Sequence, residues 1–343
     1  MLHRIVCTLL TQFGHKLHAI PGWTPQPILC NRRDMKTAHL FQLILLSAVW
    51  GVSFLLIRIA GDSFPPVWVA LMRCGIGAVL LWIVLLSAGR KLPPRSHFVW
   101  LALVALFNNA IPFTFFAWGE RTIPSSAAAV VNATTPIWTL LISLAVHRAH
   151  VTRLMIAGAF LSFAGVVLVV AGHASQDDGT AAQRSGLIAG AVLVVLASLG
   201  YAIATVLAKT KLRGIDPIGL ATAQLSLASV MLIPVALAGA HPAAISWQSI
   251  AAVATLGLAG SGFAYLLYYN LLAHVSATHV VAVTYLLPIW GLFWGAIAHE
   301  AIGWTAVFGV AVVVAGLLLL NWRVQAPVAP SLTREAAEAA TLE

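Results

Sequence analysis

Ten long apolar stretches, joined by short polar loops, dominate this sequence. A helix needs about 20 mostly apolar residues to cross the hydrocarbon core of a bilayer, and each stretch is long enough. The loops have about 3 to 14 residues, too few for a second folded domain. We therefore predict an all-α integral membrane protein, a single bundle in the lipid bilayer with ten transmembrane helices at approximately 38–60, 66–88, 98–118, 124–146, 152–172, 186–207, 216–239, 247–272, 277–298 and 301–321.

The composition agrees with this fold class and excludes several functions. Hydrophobic residues make up 60% of the chain and charged residues 8%, with a mean hydropathy of +0.94. Soluble domains average about 45–50% apolar and about 25% charged residues. A soluble enzyme, a disordered chain and a nucleic-acid-binding module are therefore excluded. Three widely separated cysteines fit neither a metal site nor a disulfide framework. Because phosphate-binding, zinc and nucleophile-elbow motifs are also missing, we expect no cofactor, no metal and no enzymatic activity.

The positions of the basic residues predict the orientation of the chain. Lys and Arg are enriched in cytoplasmic loops of membrane proteins. With a cytoplasmic N-terminus, 15 of the 19 Lys and Arg residues fall in cytoplasmic segments, 3 fall outside and Arg73 lies within a span. We therefore expect an inner (plasma) membrane protein with both termini in the cytoplasm. Residues 1–37 are predicted to be a disordered extension, with Met35 as an alternative start to Met1, and residues 323–343 a flexible tail.

The sequence contains an internal repeat at an offset of 152 residues. Residues 136–138 (Pro-Ile-Trp) align with the same three residues at 288–290, and with one residue of slip Arg73 aligns with Gln224. Each half has five spans. Because five is an odd number, the second half starts on the opposite side of the membrane from the first. Inverted repeats are typical of secondary transporters; a duplicated scaffold without transport is the alternative. The predicted repeats are residues 38–172 and 186–322, joined by an external linker at 173–185.

Short motifs in both halves resemble one known family. Residues 48–54 (AVWGVSF) and 131–138 (VNATTPIW) are similar to the first and fourth helices of an EamA domain of the drug/metabolite transporter superfamily. The second copy is represented by Gly200-Tyr201, Asp216-Pro217, residues 287–290 and His299-Glu300, so the resemblance covers about residues 38–322. It implies a ten-helix carrier, usually an exporter of amino acids or other small metabolites. The first copy departs from the family in having His147-Arg148 where Gly-Glu is common.

Polar and aromatic side chains within the spans are candidates for lining a substrate cavity. Polar groups are costly in hydrocarbon and face partner helices or a water-filled pathway. An apolar cavity with a few polar groups suits a small amphiphilic metabolite, although the same groups also serve simply to join helices. Ser261, Tyr265 and Tyr269 are spaced by four residues and share one helix face. The candidate cavity residues are Trp50, Ser53, Phe54, Asn108, Asn109, Asn132, Thr135, Trp138, Tyr201, Tyr265, Tyr269, Tyr285 and Trp290.

Five further residues are candidates for gating or structural roles: Arg73, Pro112, Glu120, Pro136 and Pro288. Each proline removes a backbone donor and exposes carbonyl groups within a span. Arg73 lies about two turns from the outer end of the second span, where a charge costs at least about 2.5–3.5 kcal/mol unless it is paired or hydrated. We expect Arg73 to pair with Glu120 at the outer end of the third span. Binding of a substrate carboxylate is the alternative.

Together these features predict a secondary-active or facilitative transporter that exports a small metabolite by alternating access. No Asp or Glu lies well inside a predicted span, so neutral, zwitterionic or anionic substrates such as amino acids are favoured over cationic drugs. A nucleotide-sugar or sugar-phosphate exchanger is the alternative within transport, and a non-transporting membrane scaffold is the alternative from another class. Gly186 with Gly190 and Gly291 with Gly295 allow close helix packing, either inside a monomer or across a homodimer.

Overall fold

Backbone groups inside a bilayer must form hydrogen bonds within the chain, and long apolar stretches do so by becoming helices. A computed structural model describes residues 37–147, 151–176, 180–275 and 277–321. Within these ranges the chain forms helices and loops and no strand, which confirms the all-α fold class for them. The α-helices are α1 (Thr37–Gly61), α2 (Pro66–Ser87), α3 (Phe98–Ala105), α4 (Ile111–Gly119), α5 (Ser125–Asn132), α6 (Thr135–His147), α7 (Arg153–Gln176), α8 (Ala181–Lys211), α9 (Pro217–Ala238), α10 (Trp247–Gly257), α11 (Ala264–His274), α12 (Ala277–Ile297) and α13 (Trp304–Leu320).

Nine helical segments of the described chain are long and apolar enough to cross a membrane. Their ends lie close to those of the first nine predicted spans. The largest difference is in α8, which is 31 residues long and starts at a capping box formed by Thr180 and Gln183. The stretch predicted at 301–321 forms α13, a shorter apolar helix of 17 residues. These helices make the chain a multi-pass membrane protein.

Three of the predicted spans are not continuous α-helices. The third consists of α3, a π-helical segment at Leu106–Ala110 and α4, and the eighth consists of α10, a π-helical segment at Leu258–Phe263 and α11. The fourth is interrupted at residues 133–134, between α5 and α6. Pro136 is therefore the second residue of a new helix, where the missing N–H breaks no intrahelical bond. Pro288, by contrast, lies inside α12.

Contacts between loops sort the helix ends into two groups. At the first, which we call the Glu120 end, the backbone N–H of Ser246 donates to Ser63 Oγ at 3.1 Å. At the second, which we call the Arg90 end, Arg90 Nη1 lies 2.8 Å from Asp216 Oδ1. The Glu120 end comprises the loops at 62–65, 120–124, 239–246 and 298–303, and the Arg90 end comprises the loops at 88–97 and 212–216.

A row of glycines brings α7 and α13 into backbone contact. Gly158, Gly165 and Gly172 follow one another at intervals of seven residues on α7. A Cβ added to Gly165 would lie 2.7 Å from the carbonyl oxygen of Gly309, and one added to Gly158 would lie 2.6 Å from that of Gly316. Real Cβ atoms do not approach oxygen so closely, so only glycine fits at these positions. We call this contact the glycine seam.

Large apolar side chains cover the outside of the bundle. Trp304 is 87% exposed, Phe160 73% and Leu86 70%. A water-soluble monomer does not expose apolar patches of this extent, because they would drive aggregation. Lipid tails are as apolar as these side chains, so this surface is suited to a bilayer.

Candidate functional site

A network of polar side chains connects three spans inside the bundle. Asn108 Nδ2 donates to Gln224 Oε1 at 3.1 Å and to the Tyr265 hydroxyl at 2.9 Å. Asn109 Nδ2 donates to the same hydroxyl at 3.0 Å. The Asn109 side chain is fully buried, and its Oδ1 has no hydrogen-bond partner among the residues described. Both asparagines and Tyr265 were predicted to line the cavity, and the structure brings them together.

The π-helical segment at Leu106–Ala110 explains how two consecutive residues reach one hydroxyl. In an α-helix, successive side chains point about 100° apart and do not share a partner easily. Here the wider π turn is closed by the N–H of Ile111, which donates to the carbonyl of Leu106 five residues earlier. Pro112 follows without an N–H, so the carbonyl of Asn108 lacks its usual α-helical donor. Local sequence therefore supports the break in the helix that orients the two amides.

Arg73 does not form the ion pair with Glu120 that the sequence suggested. Its side chain is buried, with 6% exposed, and its Nε donates to Ser261 Oγ at 3.0 Å. Its Nη2 donates to the carbonyl of Gly260 at 3.4 Å, and its guanidinium carbon lies 3.9 Å from the centre of the Phe113 ring. The second π-helical segment supplies both oxygen acceptors. Among the described residues, no carboxylate lies within ion-pair distance of Arg73.

Aromatic rings extend the polar network toward α1. The rings of Tyr265 and Tyr269 are stacked with their centres 6.0 Å apart, and Tyr268 contacts Tyr269 edge-on at 5.4 Å. Trp50 lies 5.7 Å from Tyr268. Trp50, Tyr265 and Tyr269 were predicted for the cavity, whereas Tyr268 was not. Tyr265 and Tyr269 were selected by their spacing of four and Tyr268 was overlooked, although its spacing of three from Tyr265 also places it on a neighbouring part of the helix surface.

A second set of rings joins the first half of the chain to α8. Phe54 contacts Phe116 edge-on at 5.5 Å, and Phe116 lies 5.8 Å from Tyr201. Phe54 is buried, and Tyr201 packs against two of the apolar clusters of the bundle. The structure thus places these two predicted residues in one aromatic row, but within the described part of the chain no hydrogen bond links that row to the asparagine network.

The predicted residues of the fourth span bond mainly to other residues of the same span. Asn132 Oδ1 accepts hydrogen bonds from Thr135 Oγ1 at 3.2 Å and from Ser198 Oγ at 3.3 Å. Trp138 Nε1 donates to Thr134 Oγ1 at 3.2 Å. These bonds satisfy polar groups around the interruption between α5 and α6. They also join α5 to α8, which agrees with a role in helix association.

The predicted residues of α1 and α12 belong to a helix contact. Trp290 Nε1 donates to Ser47 Oγ at 2.9 Å, and the Trp290 side chain packs directly against Gly51. Ser53 Oγ donates to the carbonyl of Val49 at 2.9 Å, a bond within its own helix. Tyr285 packs against the largest apolar cluster. Among the hydrogen bonds of the described residues, none connects Ser53, Tyr285 or Trp290 to the network around Asn109.

Gln224 was not predicted as a site residue, although the repeat contained the signal for it. Gln224 aligns with Arg73 between the two halves, and each contacts the π-helical segment of the opposite half. Arg73 bonds to Gly260 and Ser261, and Gln224 accepts from Asn108. Phe113, which faces the guanidinium of Arg73, was also missed because nothing distinguishes it from the other apolar residues of α4.

Two carboxylates at the Glu120 end have opposite environments. Glu300 accepts hydrogen bonds from the N–H and hydroxyl groups of both Ser125 and Ser126, at 2.6–3.1 Å, and pairs with Arg58 at 3.5 Å. Burial raises the pKa of Glu300, but the bonds from Ser126 and Ser125 outweigh burial and hold the pKa below its usual value. Glu120 is buried, with 5% exposed, yet neither of its oxygens has a hydrogen-bond partner among the described residues.

Comparisons with known proteins place these features in a family. The EamA-like transporter family matches residues 38–171 and again residues 188–322. An "Uncharacterized transporter" of Archaeoglobus fulgidus is 30% identical over 83% of this chain and 97% of its own length. The "Uncharacterized inner membrane transporter YedA" of Escherichia coli K12 is 29% identical over 72% of this chain and 78% of its own.

The fold is also similar to that of a solved structure. One crystal structure has a TM-score of 0.60 and 16% sequence identity, and the match covers 84% of this chain and 99% of that one. At this identity the likeness concerns the fold alone. The family match covers most of the chain in two successive copies, and both relatives are transporters by name. This chain therefore belongs to the EamA-like transporter family and is a multi-pass membrane transporter.

Proposed function

We propose that this protein is a secondary carrier that exports a small metabolite bearing a carboxylate, an amino acid or a related compound, by alternating access. It acts in the inner membrane, the location named for the relative YedA, with both termini in the cytoplasm. The observation that carries the proposal is the environment of Arg73, a buried cation set among neutral hydrogen-bonding groups.

Arg73 is well suited to bind a substrate carboxylate. A guanidinium has five N–H donors in a planar fork that matches a carboxylate. The hydroxyl of Ser261 and the carbonyl of Gly260 accept from two of its nitrogens, and neither acceptor carries a charge. A buried charge without a partner costs several kcal/mol on an order-of-magnitude basis. A substrate carboxylate would supply the missing negative charge.

The surrounding groups suit the ammonium end of the same substrate. Asn109 Oδ1 is a buried acceptor without a donor among the described residues. The stacked rings of Tyr265 and Tyr269 lie beside it and offer π-faces, which attract cations. An amino acid has both groups, a carboxylate that would bind Arg73 and an ammonium that would lie near Asn109. A sugar phosphate would need more positive charge than this network provides.

The two π-helical segments support an inverted repeat with ten spans, α13 being the tenth. Residues 106–110 and 258–262 correspond at the same offset of 152 residues that relates the two halves. The second helix of each half contacts the π segment of the other half, through Arg73 in one case and Gln224 in the other. Reciprocal contacts of this kind are what two halves of opposite orientation would form around a shared midplane site.

The proposal is tested by transport in proteoliposomes. Purified protein is reconstituted, and exchange is measured for a panel of labelled amino acids, each beside its amide and its decarboxylated amine, with sugar phosphates and nucleotide sugars included. We expect wild-type protein to move an acid and to reject its amine. Arg73→Gln should lower that exchange by at least about tenfold, because a hydrogen bond to a charged group contributes about 1.5–3 kcal/mol.

Arg90→Gln is the matched control, since it removes the same charge at the exposed Arg90 end. It should leave exchange unchanged, and Arg73→Lys should retain part of it. Exchange of sugar phosphates in place of amino acids would replace the substrate class with the alternative. Absence of exchange for every compound, in vesicles that contain correctly folded protein, would leave the membrane scaffold as the better account.

A further inference from the structure

Glu120 is a buried carboxyl group that the fold does not satisfy. It follows the last residue of α4, its exposed fraction is 5%, and both of its oxygens are buried without a hydrogen-bond donor in the described parts of the chain. An ionised carboxylate in such a place is strongly unfavourable, whereas a protonated carboxyl loses much less. Glu300, at the same end, has four donors and a nearby arginine.

The charges that act on Glu120 come from three other elements. Glu300 lies in the loop between α12 and α13, Arg58 near the end of α1, and Arg73 inside α2. Neither arginine is within ion-pair distance of Glu120, because Arg58 is paired with Glu300 and Arg73 is bonded to the second π-helical segment. Where α8 packs on the end of α4, it presents Gly190 and Val194, which do not titrate.

The balance of these effects favours the neutral carboxyl in this conformation. Burial raises the pKa of Glu120 well above its usual value, and the negative charge of Glu300 raises it further, whereas Arg58 and Arg73 act in the opposite direction. Water would reverse the largest of these effects, because solvation stabilises the charged form. Opening of the Glu120 end would therefore release a proton, and closing it would take one up.

We propose that Glu120 is the proton-binding site of this carrier, occupied when the Glu120 end is closed and empty when that end opens. The proposal rests on the alternating-access function above and adds an ion to it. The carboxyl O–H bond breaks on opening, the proton goes to solvent, and the carboxylate remains on the protein. Export of the metabolite then depends on pH, because protonation favours the closed form of the Glu120 end.

The first test measures protonation without any substrate. Glu120 binds a proton more tightly in the folded chain than in the unfolded one, so its contribution to stability is present below the usual carboxyl pKa and is lost as pH rises through the folded pKa. Thermal unfolding in detergent is followed from about pH 5 to about pH 9, a range in which an ordinary glutamate stays ionised. Relative to wild type, Glu120→Gln should gain stability steadily as the pH increases.

The second test measures exchange of the transported compound over the same pH range. Wild-type exchange should increase with pH by up to about tenfold per pH unit, the limit for one titrating group. Glu120→Gln, which imitates the protonated carboxyl, should be slow at every pH. Glu120→Asp, which keeps a titratable group, should restore the pH dependence. Asp62→Asn, which neutralises an exposed acid at the same end, is the control and should keep the wild-type profile of exchange against pH.

The results separate the two proposals. If wild-type protein exchanges substrate and Glu120→Gln keeps the wild-type pH profile, the proton site is wrong and the carrier function stands. A stability difference between wild type and Glu120→Gln that does not vary with pH would also overturn the proton site. If wild-type protein moves none of the compounds at any pH, the carrier function itself has failed.

Discussion

Removal of the Glu300 side chain should destabilise the protein far more than removal of an ordinary surface acid. Glu300 accepts the first two backbone N–H groups of α5 and two serine hydroxyls. A helix cap contributes about 0.5–2 kcal/mol, and a hydrogen bond to a charged group about 1.5–3 kcal/mol. Because the four bonds share one carboxylate, their contributions overlap. We expect Glu300→Ala to lower the free energy of unfolding by about 3 kcal/mol. Arg58 adds little, since its side chain is 48% exposed.

The measurement is thermal unfolding in detergent at neutral pH, followed by circular dichroism. A loss of about 3 kcal/mol corresponds to a decrease in Tm of roughly 4 °C for a protein of this size. Asp62→Ala, which removes an exposed acid at the same end, should stay near wild type. A double-mutant cycle with Ser126→Ala isolates the Glu300–Ser126 bond. A Glu300→Ala variant as stable as Asp62→Ala would refute the assignment of Glu300 as the cap of α5.

The same contact should make stability depend on pH with a defined sign. The folded-state pKa of Glu300 lies below its usual value, so its stabilising contribution is fully present above the unfolded pKa and is lost as pH falls through the folded pKa. The difference in stability between wild type and Glu300→Ala should therefore shrink in acid. A difference that grew on acidification would contradict this reasoning.

Three further predictions concern other contacts. Gly165→Leu should lower the Tm in a melting experiment, because a side chain in the glycine seam must separate α7 from α13, and overpacking costs about 1–3 kcal/mol. Tyr265→Phe should reduce exchange in proteoliposomes, because Asn108 and Asn109 both lose an acceptor; unaltered exchange would remove the network from the site. Arg90→Ala should change the free energy of unfolding by less than about 1 kcal/mol in chemical unfolding, because its ion pair with Asp216 is exposed.

The positions of the nine long apolar segments were largely predictable, because apolar length alone indicates a membrane span. What apolar length does not encode is the hydrogen-bonding pattern within a span. The π-helical segments at Leu106–Ala110 and Leu258–Phe263 keep the apolar character of their neighbours, so hydropathy does not reveal them. The interruption before α6 was better signalled, since Pro136 predicts a local break.

The sequence allowed us to predict which residues belong to the candidate site, but not which hydrogen-bond partners they have. Asn108, Asn109 and Tyr265 stand out because polar side chains are rare in these spans, and they form one network. The partner of Arg73 was predicted incorrectly. Opposite charge alone suggested Glu120 as the partner of Arg73. In the structure, the guanidinium of Arg73 instead donates to the hydroxyl of Ser261 and the carbonyl of Gly260 in the second π-helical segment. Choosing between these acceptors requires the relative position of two helices that are far apart in sequence.

The glycine seam also bears on how the protein is made. With 17 residues, α13 is about 25 Å long at 1.5 Å per residue, less than the roughly 30 Å of hydrocarbon in a typical bilayer. Its partner α7 leaves the ribosome more than a hundred residues earlier. The backbone contact along the glycine seam can therefore form only after α13 has been synthesised, and until then Gly158 and Gly165 lack this partner. Small residues allow such close packing of helices in a membrane, and this contact can help to hold the short helix α13 in place.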